Sequence, residues 1–384
     1  MQINRKSNLY DIESLYDTLG TDPQLRLPIS MSHGGGLGVD AALAQFVVTW
    51  ARAYEHSVLH LYAPAEEAIA QIPQIAKTAA GLFALIMSSE IHTEDHLIVD
   101  RRDALLAIRT LVEAMFVGDI RNTSTTRGAR PTAINLFCVN NAKREFIKPF
   151  YHHNTPLIQP ESWFSDLIAK SSSLMTARND QVSLLKSGLP ELGSVLWELI
   201  ANADQHAVTD VKDKKYKKAL RGTSIKLNRI SRQDALGYSD REPELARFIL
   251  KHFLKSEVLD FLEISVIDSG PGLARRWLTA KEKRPVESLD ELELDEELNA
   301  TLDCFKKHMT SKPDSDRSGM GLHNALQALN KLKAYVRVRT GRLSLNQAFQ
   351  GRSGVMAFEP SARGTEQELA AAEGTVFTIC IPVN

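Results

Sequence analysis

Between residues 25 and 139, apolar runs of two different periods take turns along the chain. The segments 25–31 (LRLPISM), 57–62 (SVLHLY), 97–99 and 132–139 read as strands, whereas 39–54, 66–87 and 102–116 carry apolar residues at helical spacing. Strands that alternate with helices bury their apolar faces by stacking as layers, so the alternation predicts an α/β architecture. The pattern breaks at HHNTP, which predicts a smaller α/β unit over residues 1–155. A helical connector over 156–187, with its helix across 163–186, and a second α/β unit over 188–384 are expected to follow.

Charge narrows the range of partners. Lys and Arg number 46 against 47 Asp and Glu, so no global field favours nucleic acid or an acidic membrane. Three scattered cysteines (Cys138, Cys304 and Cys380) supply neither a disulfide framework nor a zinc site. No apolar run approaches the roughly 18 residues that span a bilayer, and the opening MQINRKSNLYDIESLYD lacks the apolar segment of a signal peptide. The expectation is a non-membrane, cytoplasmic protein.

Three segments carry the chemistry. In PELGSVLWELIANADQHA (190–207), Leu192, Val195, Leu196, Leu199, Ile200 and Ala203 form one helical face. Glu198, Asn202 and His206, four residues apart, form a polar stripe beside it. A carboxylate one turn from a carboxamide can order a water and complete the shell of a Mg²⁺ ion; a solvated helix face would look the same. In FLEISVIDSGPGLA (261–274), a strand of branched residues ends at Asp268, and Gly270 and Gly272 follow. A carboxylate there can accept from an exocyclic amine, and the glycines let backbone approach a flat ring, although Asp-Ser-Gly and Pro-Gly also form plain turns. In RSGMGLHNALQALNKL (317–332), Gly319 and Gly321 open an apolar helix, so free backbone N–H groups and the positive dipole end would suit phosphate. A strand at 334–339, a turn at Thr340 and Gly341, and a last strand at 374–383 complete the reading.

The order E-x-x-x-N on a helix, D-x-G-x-G after a strand, G-x-G-L opening a helix, and Gly-Thr before a final strand resembles the GHKL superfamily of ATPases. These are the gyrases, heat-shock chaperones, histidine kinases and MutL proteins, which share the Bergerat fold. The resemblance covers about residues 185–384. It implies a Bergerat-type α/β sandwich, a mixed sheet with helices on one face, and a site for ATP and Mg²⁺ under a mobile lid. By the same resemblance Asp268 would hold the adenine amine with Thr375 beside it, and Gly270 and Gly272 would shape the adenine pocket. Asn202 would hold Mg²⁺, His206 would line the site, and Gly319, Met320, Gly321 and Leu322 would wrap the phosphates. Glu198 would activate the attacking water. Gln205 stands where the family often has lysine, which puts one phosphate contact in doubt.

These residues imply an ATP hydrolase whose lid regulates a protein partner. Two alternatives stay open: a kinase of the anti-sigma serine or histidine type acting on a separate protein, and a nucleotide-binding regulator with little turnover. No histidine lies in 163–186 to act as a phosphoacceptor, which disfavours autophosphorylation. A homodimer is common in the family. Lys212, Lys214, Lys215, Lys217, Lys218 and Arg221 form a basic run, read as a solvated loop or a contact for an acidic partner, with nucleic acid a minor option. Residues 273–318 form the expected lid, with an acidic, solvated helix at 287–298 and Lys312 or Arg317 placed to reach the terminal phosphate. The HGGGLG loop (33–38) reads as a tight structural turn or, less simply, a second nucleotide site, because it lacks the lysine of a P-loop. The first unit is compatible with a STAS-like or other regulatory layer.

Overall fold

The computed structural model describes residues 1–28, 37–127, 130–141, 145–152, 155–176, 187–239, 242–253, 256–306, 321–351, 357–362 and 368–383. The chain is α/β as expected, and it runs α1 (Leu9–Tyr16), β1 (Gln24–Arg26), α2 (Val39–Ala53), β2 (Val58–His60), α3 (Ala65–Ala76), α4 (Ala79–Met87), β3 (Glu90–His92), α5 (Arg101–Ala107) and α6 (Arg109–Phe116). Next come β4 (Ser124–Arg127), β5 (Arg130–Asn141), β6 (Glu145–Ile147), α7 (Glu161–Met175), α8 (Leu189–His206), β7 (Lys218–Ser231), α9 (Arg232–Gly237), α10 (Pro243–Leu250) and β8 (Val258–Asp268). The chain ends with α11 (Leu273–Lys281), a 3-10 turn (Leu289–Glu291), α12 (Leu294–Asp303), α13 (Gly321–Lys331), β9 (Tyr335–Gly341), β10 (Leu343–Ala348), β11 (Ser361–Ala362) and β12 (Ala372–Pro382).

Two sheets result. β1, β2 and β3 form a small parallel sheet, and the other strands form a nine-stranded sheet in the order β11-β10-β9-β12-β8-β7-β5-β4, with β6 on β5. Every described pairing in the large sheet is antiparallel, so the mixed sheet implied by the resemblance is replaced by an antiparallel one. The break at residue 155 does not divide this sheet. β5 is paired with β7 from Ala133 opposite Lys226 to Asn141 opposite Lys218, because its alternating Ile134, Leu136 and Cys138 need a neighbouring strand to complete their layer.

Alternation along β8 sets the two faces. Leu262, Ile264 and Val266 are buried in one apolar core with Leu192, Leu196 and Leu199 of α8, Leu326 and Leu329 of α13, and Ile379 of β12. Glu263 and Ser265 point to the opposite face, and that face is covered as well, in contrast to the one-sided layer the resemblance implied. There α2 lies over the sheet, with Asp40 paired to Lys226 at 2.8 Å and Gln45 donating to the carbonyl of Arg339 at 3.1 Å. Glu13 of α1 holds the buried Arg339 through two bonds of 2.9 and 3.0 Å. Such buried charges are tolerated because each finds a partner; the unpaired alternative would cost several kcal/mol. Phe248 of α10 closes the same face against Phe261 and Tyr335.

Several boundaries differ from the periodicity for local reasons. The helix expected over 66–87 is two helices, because Thr78 caps the second by accepting from the Gly81 N–H at 3.0 Å. The segment 102–116 is likewise split between α5 and α6. The third strand is Glu90–His92 rather than 97–99; Ile98 only bridges His92. β1 is Gln24–Arg26, and the rest of the expected strand from residue 29 on lies outside the described residues, as do 177–186 of the connector helix. The acidic helix expected over 287–298 is the 3-10 turn followed by α12.

Candidate functional site

α8 begins at Gly188, with Pro190 in its first turn, where a missing N–H costs no helical bond. Its apolar face is buried, so Glu198, Asn202 and His206 come to lie on one border of the helix, each half-buried. The start of α13 meets this border. A Cβ built on Gly321 would stand 2.8 Å from Oε2 of Glu198, and Asn324 Nδ2 donates to Glu198 Oε1 at 3.3 Å. Gly321 thus brings the start of α13 against the carboxylate, and Leu322 is buried behind it. Gly319 and Met320 lie outside the described residues, as do Lys312 and Arg317 and residues 33–36 of the HGGGLG loop.

The far end of α8 meets the second box. A Cβ on Gly270 would lie 2.7 Å from Cα of Ala207, the residue after His206. Asp268, last in β8, stands opposite Thr375 of β12 on one side and Arg221 of β7 on the other. It continues the series Leu262, Ile264, Val266, and so faces α8. Its Oδ1 accepts from the Gly270 N–H at 2.7 Å. Burial pushes its carboxyl up to about 6, while the N–H groups of Gly270 and Thr375 and then Arg52 and Arg276 pull the other way. Thr375 Oγ1 lies 3.4 Å from Thr340 Oγ1, which accepts from the Leu273 N–H at 3.0 Å. Gly272 has φ +89°, and a Cβ there would sit 3.0 Å from Thr340 Oγ1. Gly374, φ +76°, donates to the Gly270 carbonyl at 2.8 Å, so the Gly-Thr pair, inside β12 and not before it, is tied to the D-x-G-x-G turn.

The fold therefore assembles one strip along α8: Glu198 with Gly321 and Leu322, Asn202 one turn on, then His206 and Ala207 beside Gly270, with Asp268, Gly272 and Thr375 behind. Among the described residues no cluster of three His, Cys, Asp or Glu is arranged for a metal. Asn202 offers a single carboxamide oxygen, which suits a hard cation that keeps most of its waters.

Other residues at the site left no readable mark in the sequence. Arg221, in the expected solvated run, is buried and donates to Asp204 Oδ1 of α8 at 2.8 Å through Nε, while its NH2 donates to Tyr151 Oη at 2.7 Å. Lys218 is also inside, donating to the Ser88 carbonyl at 3.0 Å, so this end of the run is β7 rather than loop. Alternation through KALRGTSIKL extends the strand back to these residues, yet only the pairing with β8 sets Arg221 against Asp268. From α2, Arg52 donates to the Gly270 carbonyl at 3.3 Å and to Glu373 Oε2 at 3.1 Å, and stacks 3.8 Å over the Tyr216 ring. Arg275 holds the other oxygen of Glu373 at 2.8 Å.

The described part of the expected lid is anchored. Trp277 and Leu278 of α11 pack with Leu289, Leu292 and Ala300. Glu297, expected on a solvated face, is fully buried, accepting from the Arg342 N–H at 2.8 Å and from Arg342 Nε at 2.7 Å. Among the described residues no helix is long and apolar enough to cross a membrane. No family model, no curated protein and no solved structure matches this chain.

Proposed function

We propose that this protein is a Mg²⁺-dependent ATPase of the GHKL type, with a Bergerat-like site along α8 and nucleotide-dependent contacts to a protein partner as its output. One observation carries the reading: the second and third boxes, more than 40 residues apart in the chain, both meet the helix of the first, Gly270 at Ala207 and Gly321 at Glu198. Gly270 abuts helix-end backbone, so a turn with a side chain at that position could not lie this close to α8.

In this reading Asp268, mostly ionised at neutral pH, accepts the adenine amine, and Thr375 and Thr340 hold a water beside it. Gly272 lets the turn after Asp268 close onto Thr340 and hold the carboxylate in place. Bound Mg²⁺ would supply neutralisation of phosphate charge, and the Asn202 carboxamide would be its protein ligand. Glu198 would orient and deprotonate the attacking water, while the backbone N–H groups that begin α13 receive phosphate charge. Positioning carries most of such a reaction, which agrees with a site built from backbone and small residues.

The test is Mg²⁺-dependent phosphate release by the purified chain beside Glu198→Ala and Asp268→Asn. The expected result is turnover in wild type, ATP binding without turnover in Glu198→Ala, and no binding in Asp268→Asn. ATP binding with label passed to protein would favour the kinase alternative. Absence of any ATP binding overturns the reading.

A further inference from the structure

A second cluster lies on the small parallel sheet, away from α8. Arg26, His60 and His92 are register partners across β1, β2 and β3, each the last residue of its strand. Their neighbours Leu25, Leu59 and Ile91 are buried in the main core, so the three basic side chains occupy the opposite face, at the carboxyl edge of the sheet. Ligands of open parallel sheets gather at that edge, because loops leave the strands there and backbone groups are free. His96, in the turn after β3 with φ +62°, sets its ring 4.8 Å from that of His60, and the His92 ring lies 5.5 Å away on the other side.

His60 is only 1% exposed, yet neither ring nitrogen has a hydrogen-bond partner; the backbone of Thr93 lies near but outside hydrogen-bond geometry. A buried imidazole left in this way forgoes about 1–3 kcal/mol that a bound acceptor would restore. Arg26 lies over the Tyr62 ring at 5.5 Å, and among the described residues no carboxylate is paired with it. Two carboxylates border the cluster and both are engaged: Glu90 with His92 Nε2 at 2.8 Å, and Asp22, within electrostatic reach of His60, with the N-terminal ammonium at 2.9 Å. The guanidinium would repel a metal ion, and the described residues include no cluster arranged for one. Its planar fork fits an oxyanion through two parallel bonds.

We propose that Arg26, His60, His92 and His96 form a binding site for a phosphoryl group at the carboxyl edge of the small sheet. The site does not depend on the nucleotide reading and shares no residue with it. It would make the small sheet a sensor, since β1 is tied to α2 by the bond from Trp50 Nε1 to the Pro23 carbonyl at 3.0 Å.

The experiment is a titration of the full chain with inorganic phosphate at constant ionic strength, followed through the histidine Cε1–Hε1 resonances. His60→Gln and His92→Gln assign the signals, and His206 and His323 report separately on α8 and α13. Phosphate should move the His60, His92 and His96 signals and raise the midpoint of His60, which burial and then Arg26 hold down, by about one pH unit, the shift expected of an opposite charge at close range. Arg26→Gln, at a half-buried position, should weaken phosphate binding about tenfold or more with unchanged melting. O-phosphoserine binding more tightly than phosphate would point to a phosphorylated segment as the source, and the reverse to free phosphate. Superimposed histidine curves with and without phosphate would overturn the proposal, as would an Arg26→Gln protein that binds like wild type or acetate that moves the signals equally.

Discussion

Gly270 and Ala207 approach so closely that no side chain fits between them: a Cβ on Gly270 would stand 2.7 Å from Cα of Ala207 and 3.0 Å from Asp268 Oδ1. Both neighbours are fixed, one as helix-end backbone and the other as a buried carboxylate. Gly270→Ala must therefore push the turn away from α8. The expected loss is about 2 kcal/mol of stability in denaturant unfolding, typical of overpacking, together with weakened ATP binding. A Gly270→Ala protein as stable as wild type and binding ATP equally would show that the contact is slack.

Asp268 makes stability depend on pH in an unusual direction. Its carboxyl is raised from 3.8 to about 6, so between these values the folded chain binds more protons than the unfolded one. Stability from this group is therefore greatest below about pH 4 and is lost as pH rises through 6, by about 3 kcal/mol in all. Asp268→Asn should melt at a higher temperature than wild type at pH 7.5, with the difference shrinking toward pH 4, while ATP binding is abolished. Equal pH profiles of the two proteins would show that the carboxyl is not raised.

Glu297 offers the opposite case, a buried carboxylate that is fully engaged. Both oxygens are taken by Arg342, so Glu297→Ala strips the partner from the Arg342 backbone N–H and from Nε, while the guanidinium keeps Glu368 and the Leu292 carbonyl. A loss of about 3 kcal/mol is expected at pH 7, read by denaturant unfolding. Glu297→Gln should recover part of it, since an amide oxygen can still accept one of the two bonds.

Arg52 joins α2 to the turn that carries Asp268, through the Gly270 carbonyl and Glu373. Arg52→Ala is expected to reduce ATP affinity roughly tenfold, the equivalent of one charge-assisted hydrogen bond, with a smaller effect on melting. Arg52→Lys should restore little, because a single ammonium cannot serve the carbonyl, the carboxylate and the Tyr216 ring together. Calorimetric titration with ATP measures both variants.

The polar stripe on α8 was legible because helical spacing is local: four residues make one turn wherever the helix lies. Asp268 at a strand end, the two glycines after it and Gly321 at the start of α13 were legible for the same reason. The break near residue 155 was a misleading signal. Thr155 donates to the His152 carbonyl there, but β5 before it is paired with β7 after it, and such pairing depends on residues 77 to 93 positions apart in the chain. Charge misled in a similar way. A run of lysines ordinarily stays in water, and nothing within six residues of Arg221 announces Asp204, Asn140 and Tyr151 as its partners.

Which residues could form helices and strands, and which polar groups could share a helix face, the sequence determined by itself, since backbone sterics and the 2.0 and 3.6 periods act over a few residues. Strand order, the antiparallel register that sets Arg221, Asp268, Thr375 and Thr340 in one row, and the cover of α1 and α2 over the polar face were decided only by tertiary structure. Those choices follow from pairing buried charges and closing two apolar layers at once, and both conditions are met by the whole chain rather than by any window of it.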